Sequence, residues 1–496
     1  MKSTLMLILV AAGMCLAQPS AWANAYGGLA VEGAQAICGC PGAGFVTAGE
    51  TRSFGSSNYD YLVIRVGDDG DTVWAKRMGT QGYDGARAVC RTTDGGYAVA
   101  GRTYVMGGNQ NEFSVVRLDS AGELIWARAY GGTGWDEAMS IQPTNDSGFV
   151  VAGRTRSFGV QDYDALVLKL DSRGDTVWTR TLGGRYEDYA RAVLPASDGG
   201  YFVAGSTWSP GAVSLDFMII KLDANGDTLW ERNIGPSGIG GNELFGICAT
   251  GGGGCAVVGR RVVLGGTNDF LVVKLSSGGG IEWAKSFGGD GDDWGRGIAP
   301  APDWGFYVAG YSKSFSDSTD FLVARLSQSG DIAWAGTFGS DRVDSGCAVV
   351  ASDNGCVTAG YTNSWGAGDF DVLAIAVDSA GGMAGCPYWH QVSLNVSSPN
   401  LPTGTQVLTV GKPTVAVTTL PMTAVEVPVV VTHIWPLVDV EERGFKACRE
   451  RAATVLRSGT AVSGPVLDMT GARIARGPLK PGIYFRGSGE KVLVVR

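Results

Sequence analysis

DGGYAVAGRT, residues 94–103, decides the fold. Its Asp-Gly-Gly is typical of a tight turn, and the apolar residues that follow are typical of a short β-strand. The chain repeats this pattern as DSGFVVAGRT at residues 146–155 and as DGGYFVAGST at residues 198–207. The stretch is therefore one hairpin of a repeating unit.

Three sequence markers recur with one period of about 52 residues. The glycine near the end of the opening motif recurs as Gly49, Gly101, Gly153, Gly205, Gly259, Gly310 and Gly360. A tryptophan recurs as Trp74, Trp126, Trp178, Trp230, Trp283 and Trp334. An acidic residue heads an apolar run at Asp60, Glu112, Asp164, Asp216, Asp269, Asp320 and Asp371. Three independent markers with one spacing establish an internal repeat.

The sequence pattern of each repeat predicts four short strands separated by turns that contain Gly and Asp. In one unit they are ARAVCR (86–91), YAVAG (97–101), EFSVVRL (112–118) and ELIWARAY (123–130). Four antiparallel strands in about 50 residues are typical of a β-propeller blade. We therefore expect an all-β chain with a seven-bladed β-propeller of four-stranded antiparallel blades over residues 24–390. The alternative is a linear β-solenoid, whose repeats usually have about 20–30 residues.

The two ends of the repeat region predict how the ring closes. AYGG at residues 25–28 matches AYGG at residues 129–132, where a fourth strand ends. The seventh repeat has Gly385 where the other repeats have tryptophan. We therefore expect blade seven to be the weakest and the N-terminal strand to complete it.

The N-terminus resembles a secretory signal. Lys2 precedes an apolar stretch, and Ala21-Trp22-Ala23 offers small residues for cleavage after Ala23. Residues 1–23 are thus predicted to be a signal peptide; lipidation at Cys15 is the alternative. Export permits disulfides among the nine remaining cysteines, and we expect one between Cys248 and Cys255, which flank a four-glycine turn.

The composition excludes several classes of function. The net charge is -9 and no run of Lys or Arg occurs, so nucleic acid is not an expected partner. Only two histidines are present, so most kinds of His-dependent catalysis and His-based metal sites are not expected. No later segment has about 18 uninterrupted apolar residues, so we expect no transmembrane segment in the mature chain. We also expect the propeller to be monomeric. No catalytic residue and no cofactor are predicted.

Two acidic series should lie on one face of the propeller. One is the Asp60 series at the start of each third strand. The other precedes each innermost strand, at Glu32, Asp84, Asp136, Asp188, Glu243, Asp293 and Asp344. Carboxylates that recur in every unit are best explained as hydrogen-bond acceptors that order the loops. The alternative is a Ca²⁺ site, with Asp84, Asp136, Asp188, Asp293 and Asp344 as the candidate ligands.

Basic residues in six third strands are expected to offset this negative charge. They are Arg65, Arg117, Lys169, Lys221, Lys274 and Arg325. The tryptophans of the fourth strands are expected to pack blade against blade. Five other tryptophans lie outside that register and are candidates for ligand contact: Trp135, Trp208, Trp294, Trp304 and Trp365.

The tail has two parts. Residues 391–437 are rich in Val, Thr and Pro and nearly uncharged, which predicts an extended linker. Residues 438–496 contain VLDMTGARIARGPLKPGIYF and KVLVVR, whose strand and turn signals predict a small β domain.

Two family resemblances follow from these motifs. DGGYAVAGRT, YDALVLKLDSRGDTVW and LGGRYEDYARAV resemble bacterial secreted propeller repeats of the SBBP and delta-60 type. The C-terminal part resembles the type A sorting domain of the type IX secretion system. The matching residues are Leu467, Asp468, Gly471, Leu479, Pro481, Gly482, Ile483 and Tyr484. The second resemblance implies a Gram-negative host, the secretion machinery as a partner, and a secreted or outer-membrane surface location reached through the periplasm.

The sequence therefore predicts an exported, non-catalytic binding or interaction module with an unknown glycan or protein ligand. One alternative is a hydrolase or lyase that acts on polysaccharide with carboxylates of the acidic face. Another is a structural component of a surface layer. Near-identical repeats favour the first and the last, because an enzyme needs unmatched carboxylates in one pocket.

Overall fold

A computed structural model describes residues 21–399 apart from 41, 56–57, 105–109, 159–161, 209–214, 236–240 and 263–265. It also describes parts of 401–435 and four short strands near the C-terminus. The chain forms two compact units, Met1–Ile434 and Trp435–Arg496. Across the described part, no helix has the length and apolar character needed to cross a bilayer.

The first unit is a seven-bladed β-propeller of four-stranded antiparallel blades, as predicted. Blade 1 contains β2 (Glu32–Gly39), β3 (Phe45–Thr51), β4 (Asp60–Val66) and β5 (Thr72–Met78). Blade 2 contains β6 (Asp84–Arg91), β7 (Tyr97–Tyr104), β8 (Asn111–Leu118) and β9 (Leu124–Gly131). Blade 3 contains β10 (Asp136–Pro143), β11 (Phe149–Thr155), β12 (Asp164–Leu170) and β13 (Thr176–Gly183).

Blade 4 contains β14 (Asp188–Pro195), β15 (Tyr201–Thr207), β16 (Asp216–Leu222) and β17 (Thr228–Ile234). Blade 5 contains β18 (Asn242–Ala249), β19 (Cys255–Arg261), β20 (Asp269–Leu275) and β21 (Ile281–Gly288). Blade 6 contains β22 (Asp293–Pro300), β23 (Phe306–Ser312), β24 (Asp320–Leu326) and β25 (Ile332–Phe338). Blade 7 contains β26 (Asp344–Ser352), β27 (Gly355–Thr362), β28 (Asp371–Asp378) and β1 (Trp22–Gly27). The first strands contact one another in sequence, and β26 contacts β2, which closes the ring.

The opening motif forms the turn between the first two strands of blade 2. Gly95 has a φ of 87°, a left-handed conformation that a glycine adopts without strain. Asp94 accepts hydrogen bonds from the Thr92 hydroxyl and from the Gly96 amide, and it forms an ion pair with Arg117 of the third strand. Side chain and backbone thus fix the same turn.

The basic residues of the third strands repeat this clamp in other blades. Lys169 binds Asp146 at 2.8 Å, Lys221 binds Asp198 at 2.8 Å, and Arg325 pairs with Asp303. These pairs lie at the hairpin turns, which we call the turn face. The acidic series heads the first and third strands at the opposite end, which we call the mouth face. The expectation that these cations offset the acidic series is therefore wrong, because each reaches the far end of its strand.

The N-terminal strand completes blade 7, as predicted. β1 pairs antiparallel with β28 in the register Trp22↔Ala376 to Tyr26↔Val372. Trp22 is 4% exposed, its indole N–H donates to the Asp68 carbonyl at 3.1 Å, and its ring stacks on Phe45. Trp22 therefore joins blade 7 to blade 1.

Five of the other six tryptophans in the fourth strands form the same bond. The indole N–H groups of Trp74, Trp178, Trp230, Trp283 and Trp334 each donate to a carbonyl in the next blade. Trp22 thus belongs to this series, 52 residues before Trp74. The predicted boundary between residues 23 and 24 is wrong for the propeller, because it cuts through β1.

A long segment after blade 7 runs around the outside of the propeller. Its strands are β29 (Trp389–Gln391), β30 (Asn395–Ser397), β31 (Thr403–Gly404), β32 (Thr409–Gly411), β33 (Ala416–Thr419), β34 (Val425–Glu426) and β35 (Val430–Trp435). They pair in order with the outermost strands of blades 6, 5, 4, 3, 2, 1 and 7. We call residues 389–435 the belt, because it adds a fifth strand to every blade.

The belt corrects the expected linker at residues 391–437. Val and Thr favour extended backbone on a half-buried surface, and the outer edge of each blade offers unpaired backbone groups. Five prolines that argue against long strands fall between the belt strands in sequence, where no ladder hydrogen bond is required. Short strands separated by prolines can therefore step from one blade to the next.

The second unit contains a four-stranded sheet. Its strands are β36 (Thr454–Arg457), β37 (Val466–Leu467), β38 (Gly482–Arg486) and β39 (Lys491–Val495), in the order β36-β39-β38-β37. β36 is parallel to β39, and the other pairs are antiparallel. Of the predicted sorting residues, Leu467 lies in β37, and Gly482, Ile483 and Tyr484 lie in β38. Asp468, Gly471, Leu479 and Pro481 lie outside the described residues.

Candidate functional site

The carboxylate at the start of a first strand connects two blades. Asp84 accepts a hydrogen bond from the Thr103 hydroxyl of the neighbouring strand. It also accepts one from the Thr80 amide at 2.6 Å, at the end of the preceding blade. Asp136, Asp188, Asp293 and Asp344 accept corresponding bonds from backbone amides at Gly132, Gly184, Gly289 and Ser340. The series therefore orders the loop between consecutive blades.

The same carboxylates were the calcium candidates. Within the described ranges, no group of three or more His, Cys, Asp or Glu side chains is placed to hold a metal ion. The buried aspartates instead use their oxygens for hydrogen bonds from hydroxyl and amide groups, as at Asp84 and Asp136. Such donors stabilise the ionised carboxylate without a cation.

The junction of blades 2 and 3 and that of blades 6 and 7 each place a second carboxylate near the first. A Cβ built on Gly131 would lie 2.5 Å from Glu112 of blade 2 and 2.7 Å from Asp136 of blade 3. Only glycine leaves room for both carboxylates at this position. Burial and the neighbouring Asp136 raise the pKa of Glu112. Burial also raises the pKa of Asp344 to about 6, with Asp320 of the preceding blade as a lesser contribution.

Blade 5 departs from the series. Asn242 pairs with Arg261, which is the register that Asp84 forms with Thr103. Asn242 therefore occupies the carboxylate position, and the assignment of Glu243 to this series is wrong by one residue. Asn242 lies 54 residues after Asp188, in step with the marker glycines Gly205 and Gly259, but it is not acidic, whereas the next residue is. Glu243 lies at the next position, which faces a different environment.

Every first strand contains a bulge that presents one extra residue. In blade 2 the pairing skips Arg87, between Ala86 and Ala88. The bulged residues of blades 1 to 7 are Gln35, Arg87, Met139, Arg191, Phe245, Arg296 and Cys347. Six of the seven are partly exposed, and they differ from blade to blade.

The residues after the bulges are small. They are Ala36, Ala88, Ser140, Ala192, Gly246, Gly297 and Ala348. The first strands approach closely here: a Cβ built on Gly297 would lie 2.8 Å from the Cα of Ala348. In addition, the Val193 amide donates to the Ser140 hydroxyl of the preceding blade at 3.1 Å. Small side chains therefore permit neighbouring first strands to pack closely, with the bulged residues on the mouth-face side of these contacts.

Two further positions lie beside each bulge. One follows the carboxylate position: Gly33, Gly85, Glu137, Tyr189, Glu243, Trp294 and Ser345. The other is its partner on the second strand: Glu50, Arg102, Arg154, Ser206, Arg260, Tyr311 and Tyr361. We call these positions and the bulged residues the channel mouth. It holds six arginines, three glutamates and five aromatic residues.

Glu137 is the centre of one half of the channel mouth. Its carboxylate accepts from Arg87 at 2.9 Å and from Arg154 at 2.6 Å, and Arg102 lies 3.6 Å away. Burial alone would raise the pKa of Glu137, but these three guanidinium groups outweigh it and hold the pKa below its usual value. Arg87 also lies 3.8 Å from Glu50. Two carboxylates thus form ion pairs with three arginines.

The other half combines one carboxylate with stacked aromatic rings. Glu243 accepts from Arg191 at 2.6 Å and lies 3.2 Å from Arg260. Arg260 lies over the ring of Trp294 at 4.1 Å. Arg296 lies 5.4 Å from the ring of Phe245 and 6.0 Å from that of Tyr311, and no ion pair to Arg296 occurs among the described residues.

Of the candidate tryptophans, only Trp294 lies in the channel mouth. It stacks between Phe245 and Tyr311 at centroid distances of 5.9 and 5.3 Å. Trp135 and Trp208 are each 41% exposed and lie in loops of the mouth face. Trp304 lies in a hairpin turn on the turn face, with a φ of 62°. Trp365 packs against Phe338 and Tyr388, so the five tryptophans form no common site.

The expected disulfide between Cys248 and Cys255 is wrong. Cys248 pairs with Ala256, and Cys255 pairs with Ala249. The two cysteines are therefore one residue out of register, and their side chains point to opposite faces of the blade. Cys248 packs in the core between blades 5 and 6, whereas Cys255 packs in the core between blades 4 and 5. Both thiols are free.

A groove of about 920 Å³ lies on the turn face between blades 7 and 1. Trp22, Phe45 and Val350 form part of its apolar lining, and Asp69 and Asp353 part of its polar lining. None of the predicted site residues lines it. Its position at the seam follows from the closure of the ring by β1.

Comparisons with known proteins agree with the fold. The family model described as outer membrane protein assembly factor BamB matches residues 60–335, which is more than half of the chain. The regulatory protein FlaEY of Caulobacter vibrioides is 30% identical over 163 residues, which are 29% of this chain and 17% of FlaEY. The chain thus matches a small part of that relative's length.

Two solved structures match the chain at low similarity. Virginiamycin B lyase from Staphylococcus aureus, solved with quinupristin, has a TM-score of 0.42 and 11% identity and covers 71% of this chain and 99% of its own. Sqt1 from Chaetomium thermophilum has a TM-score of 0.33 and 14% identity and covers 61% of this chain and 83% of its own.

The buried carboxylates predict how stability depends on pH. Burial raises the pKa of Asp344 from 3.8 to about 6. A raised carboxyl pKa contributes stability that is present below the unfolded pKa and is lost as the pH rises through about 6. When the pH is lowered from 7.5 to 5, the free energy of unfolding should therefore rise less in the Asp344→Asn variant, which copies Asn242 of blade 5, than in the unmodified chain. The difference should be on the order of 1 kcal/mol.

Denaturant unfolding at both pH values measures this difference. Asp353→Asn is the matched control, because Asp353 is an exposed residue in a turn of the same blade. Equal pH dependence in the unmodified chain and in both variants would contradict the proposed burial cost of Asp344.

Proposed function

The chain belongs to the family described as outer membrane protein assembly factor BamB, and from that premise we propose that it is an exported, non-catalytic binding and interaction module. The observation that carries this proposal is the distribution of differences among the blades. The turns, cores and carboxylate junctions repeat around the ring, whereas the channel mouth differs in every blade. A surface built from unmatched residues on a repeated frame is where specificity is expected.

The contacts of the carboxylates support the non-catalytic part of the proposal. A glycoside hydrolase needs two carboxyl groups that reach a substrate and exchange protons with it. The carboxylates at the blade junctions are buried, with Asp84, Asp136 and Asp344 fully covered. Glu137 is held by three arginines. These groups are engaged in the fold, which favours a binding module over the alternative of a polysaccharide-acting enzyme.

Export is the second part of the proposal. The N-terminal signal and the C-terminal resemblance to a type IX sorting domain support passage across both membranes of a Gram-negative cell, with the secretion machinery as a partner. The propeller itself resembles secreted repeats of the SBBP and delta-60 type. The position of β1 refines the signal: Ala21, Trp22 and Ala23 are buried in blade 7, so cleavage after Ala23 would remove part of that strand.

We therefore expect signal cleavage after Ala17. Cys15 and Ala17 supply small residues at the two positions that a signal peptidase reads, and cleavage there leaves β1 intact. Intact mass and N-terminal sequencing of the exported protein should give Gln18 as the first residue. A mature N-terminus at Asn24 would contradict the closure of the ring by Trp22.

Site-specific photo-crosslinking tests the binding function. A photoreactive residue placed at Tyr361 in the channel mouth should crosslink in cells to a discrete surface or extracellular partner. The same residue at Val177, which is 60% exposed on the outer rim, is the matched control. Crosslinks from the rim alone would contradict a binding role of the channel mouth. Turnover of a polysaccharide panel that is lost in Glu137→Gln would favour the enzyme instead.

A further inference from the structure

We propose that the channel mouth recognises an acidic segment of a partner protein, whose carboxylates bind the guanidinium groups of Arg191, Arg260 and Arg296. This inference rests on the proposed function and names the chemistry of the ligand. Four properties of the channel mouth carry it: its charge, its hydrogen-bond donors, the support of its arginines and their placement on neighbouring blades.

The charge of the channel mouth is opposite to that of the whole chain. Its positions hold six arginines and three glutamates, an excess of three positive charges, whereas the chain has a net charge of -9. A local positive potential on an acidic protein attracts anions and leaves the rest of the surface repulsive to them.

The arginines retain donors that the protein does not use. The Nε atoms of Arg102, Arg191 and Arg296 are buried and have no hydrogen-bond acceptor among the described residues, whereas the Nε of Arg260 lies 3.2 Å from Glu243. Glu243 is shared by Arg191 and Arg260, and Arg296 has no carboxylate partner in the described part of the chain. A guanidinium group carries five N–H donors in a fork that matches a carboxylate. The side chains of Arg191 and Arg260 are 24% and 26% exposed, so added carboxylates would bind their remaining N–H groups and not the buried Nε atoms.

The aromatic rings support the guanidinium groups and favour a peptide over a sugar. Arg260 lies over the Trp294 ring at 4.1 Å, and Phe245 and Tyr311 stack with the same ring. A sugar ligand needs a free aromatic face, whereas the Trp294 ring already has an arginine over it. Guanidinium groups held over rings instead lose little freedom when they bind an anion. The cluster is thus preorganised for carboxylates.

The three arginines come from neighbouring blades. Arg191, Arg260 and Arg296 lie in β14, β19 and β22, the first or second strands of blades 4, 5 and 6. A ligand that contacts all three must therefore extend across these blades. An extended peptide with several Asp or Glu side chains meets this geometry.

Calorimetry with the full-length mature protein tests the inference. Hexaglutamate should bind, hexaglutamine should not, and the affinity for hexaglutamate should fall as salt is added. Arg296→Gln should weaken binding by about tenfold, because a charge-assisted hydrogen bond is lost. Arg296→Lys should recover only part of the affinity, since lysine keeps the charge and loses the fork.

Arg173→Gln is the matched control. Arg173 is 78% exposed in a turn of blade 3 on the turn face, and its substitution should leave the affinity unchanged. Thermal unfolding of each variant shows whether it folds. If Arg296→Gln does not fold, Arg260→Gln takes its place.

Three results would overturn the inference. One is equal binding of hexaglutamate and hexaglutamine, and another is unchanged affinity in the folded arginine variants. The third is tighter binding of oligogalacturonate than of hexaglutamate, which would assign the channel mouth to acidic saccharides. In each case, crosslinks from Tyr361 would still support a binding module, so the two proposals fail separately.

Discussion

Every strand at the edge of a sheet must find a partner or a cover, and this constraint shapes both ends of the propeller chain. The N-terminal β1 fills the outer position of blade 7, which the seventh repeat leaves empty. The belt then pairs with the outermost strand of each of the seven sheets. One end of the chain closes the ring, and a segment near the other end surrounds it. The blades can therefore tolerate variation elsewhere without exposing an edge.

This closed frame explains why specificity can concentrate in the channel mouth. The junction carboxylates, the fourth-strand tryptophans and the turn-face ion pairs connect strands and blades in the same way around the ring. The bulge in each first strand adds one residue that no strand pairing constrains. Blades can thus carry Arg87, Phe245 or Cys347 at one position and keep their packing. The repeat supplies rigidity, and the bulge supplies diversity.

The period of the sequence predicted the fold, because turns and strand lengths are local properties of each repeat. It also predicted the closing strand, since AYGG near the N-terminus matches the end of a fourth strand. The tryptophan spacing could have placed Trp22 in the same strand, but a signal-cleavage motif overlaps it. The belt escaped prediction because strands of two to six residues show no alternation. The channel mouth escaped it because only some repeats carry arginine at these positions, and the bulges that present Arg87, Arg191 and Arg296 are visible only in the strand pairing. The position of Asn242 and the side of the blade that Cys248 faces also depend on register.

Hydrogen exchange on chains of two lengths tests the central claim, that the belt is part of the propeller. One chain ends at residue 388 and lacks the belt, and the other ends at residue 434 and lacks only the second unit. We expect backbone amides at the ends of β9 and β13, where belt strands pair, to exchange much faster in the shorter chain and at the full-length rate in the longer one. Equal protection of these amides in both chains would contradict the account.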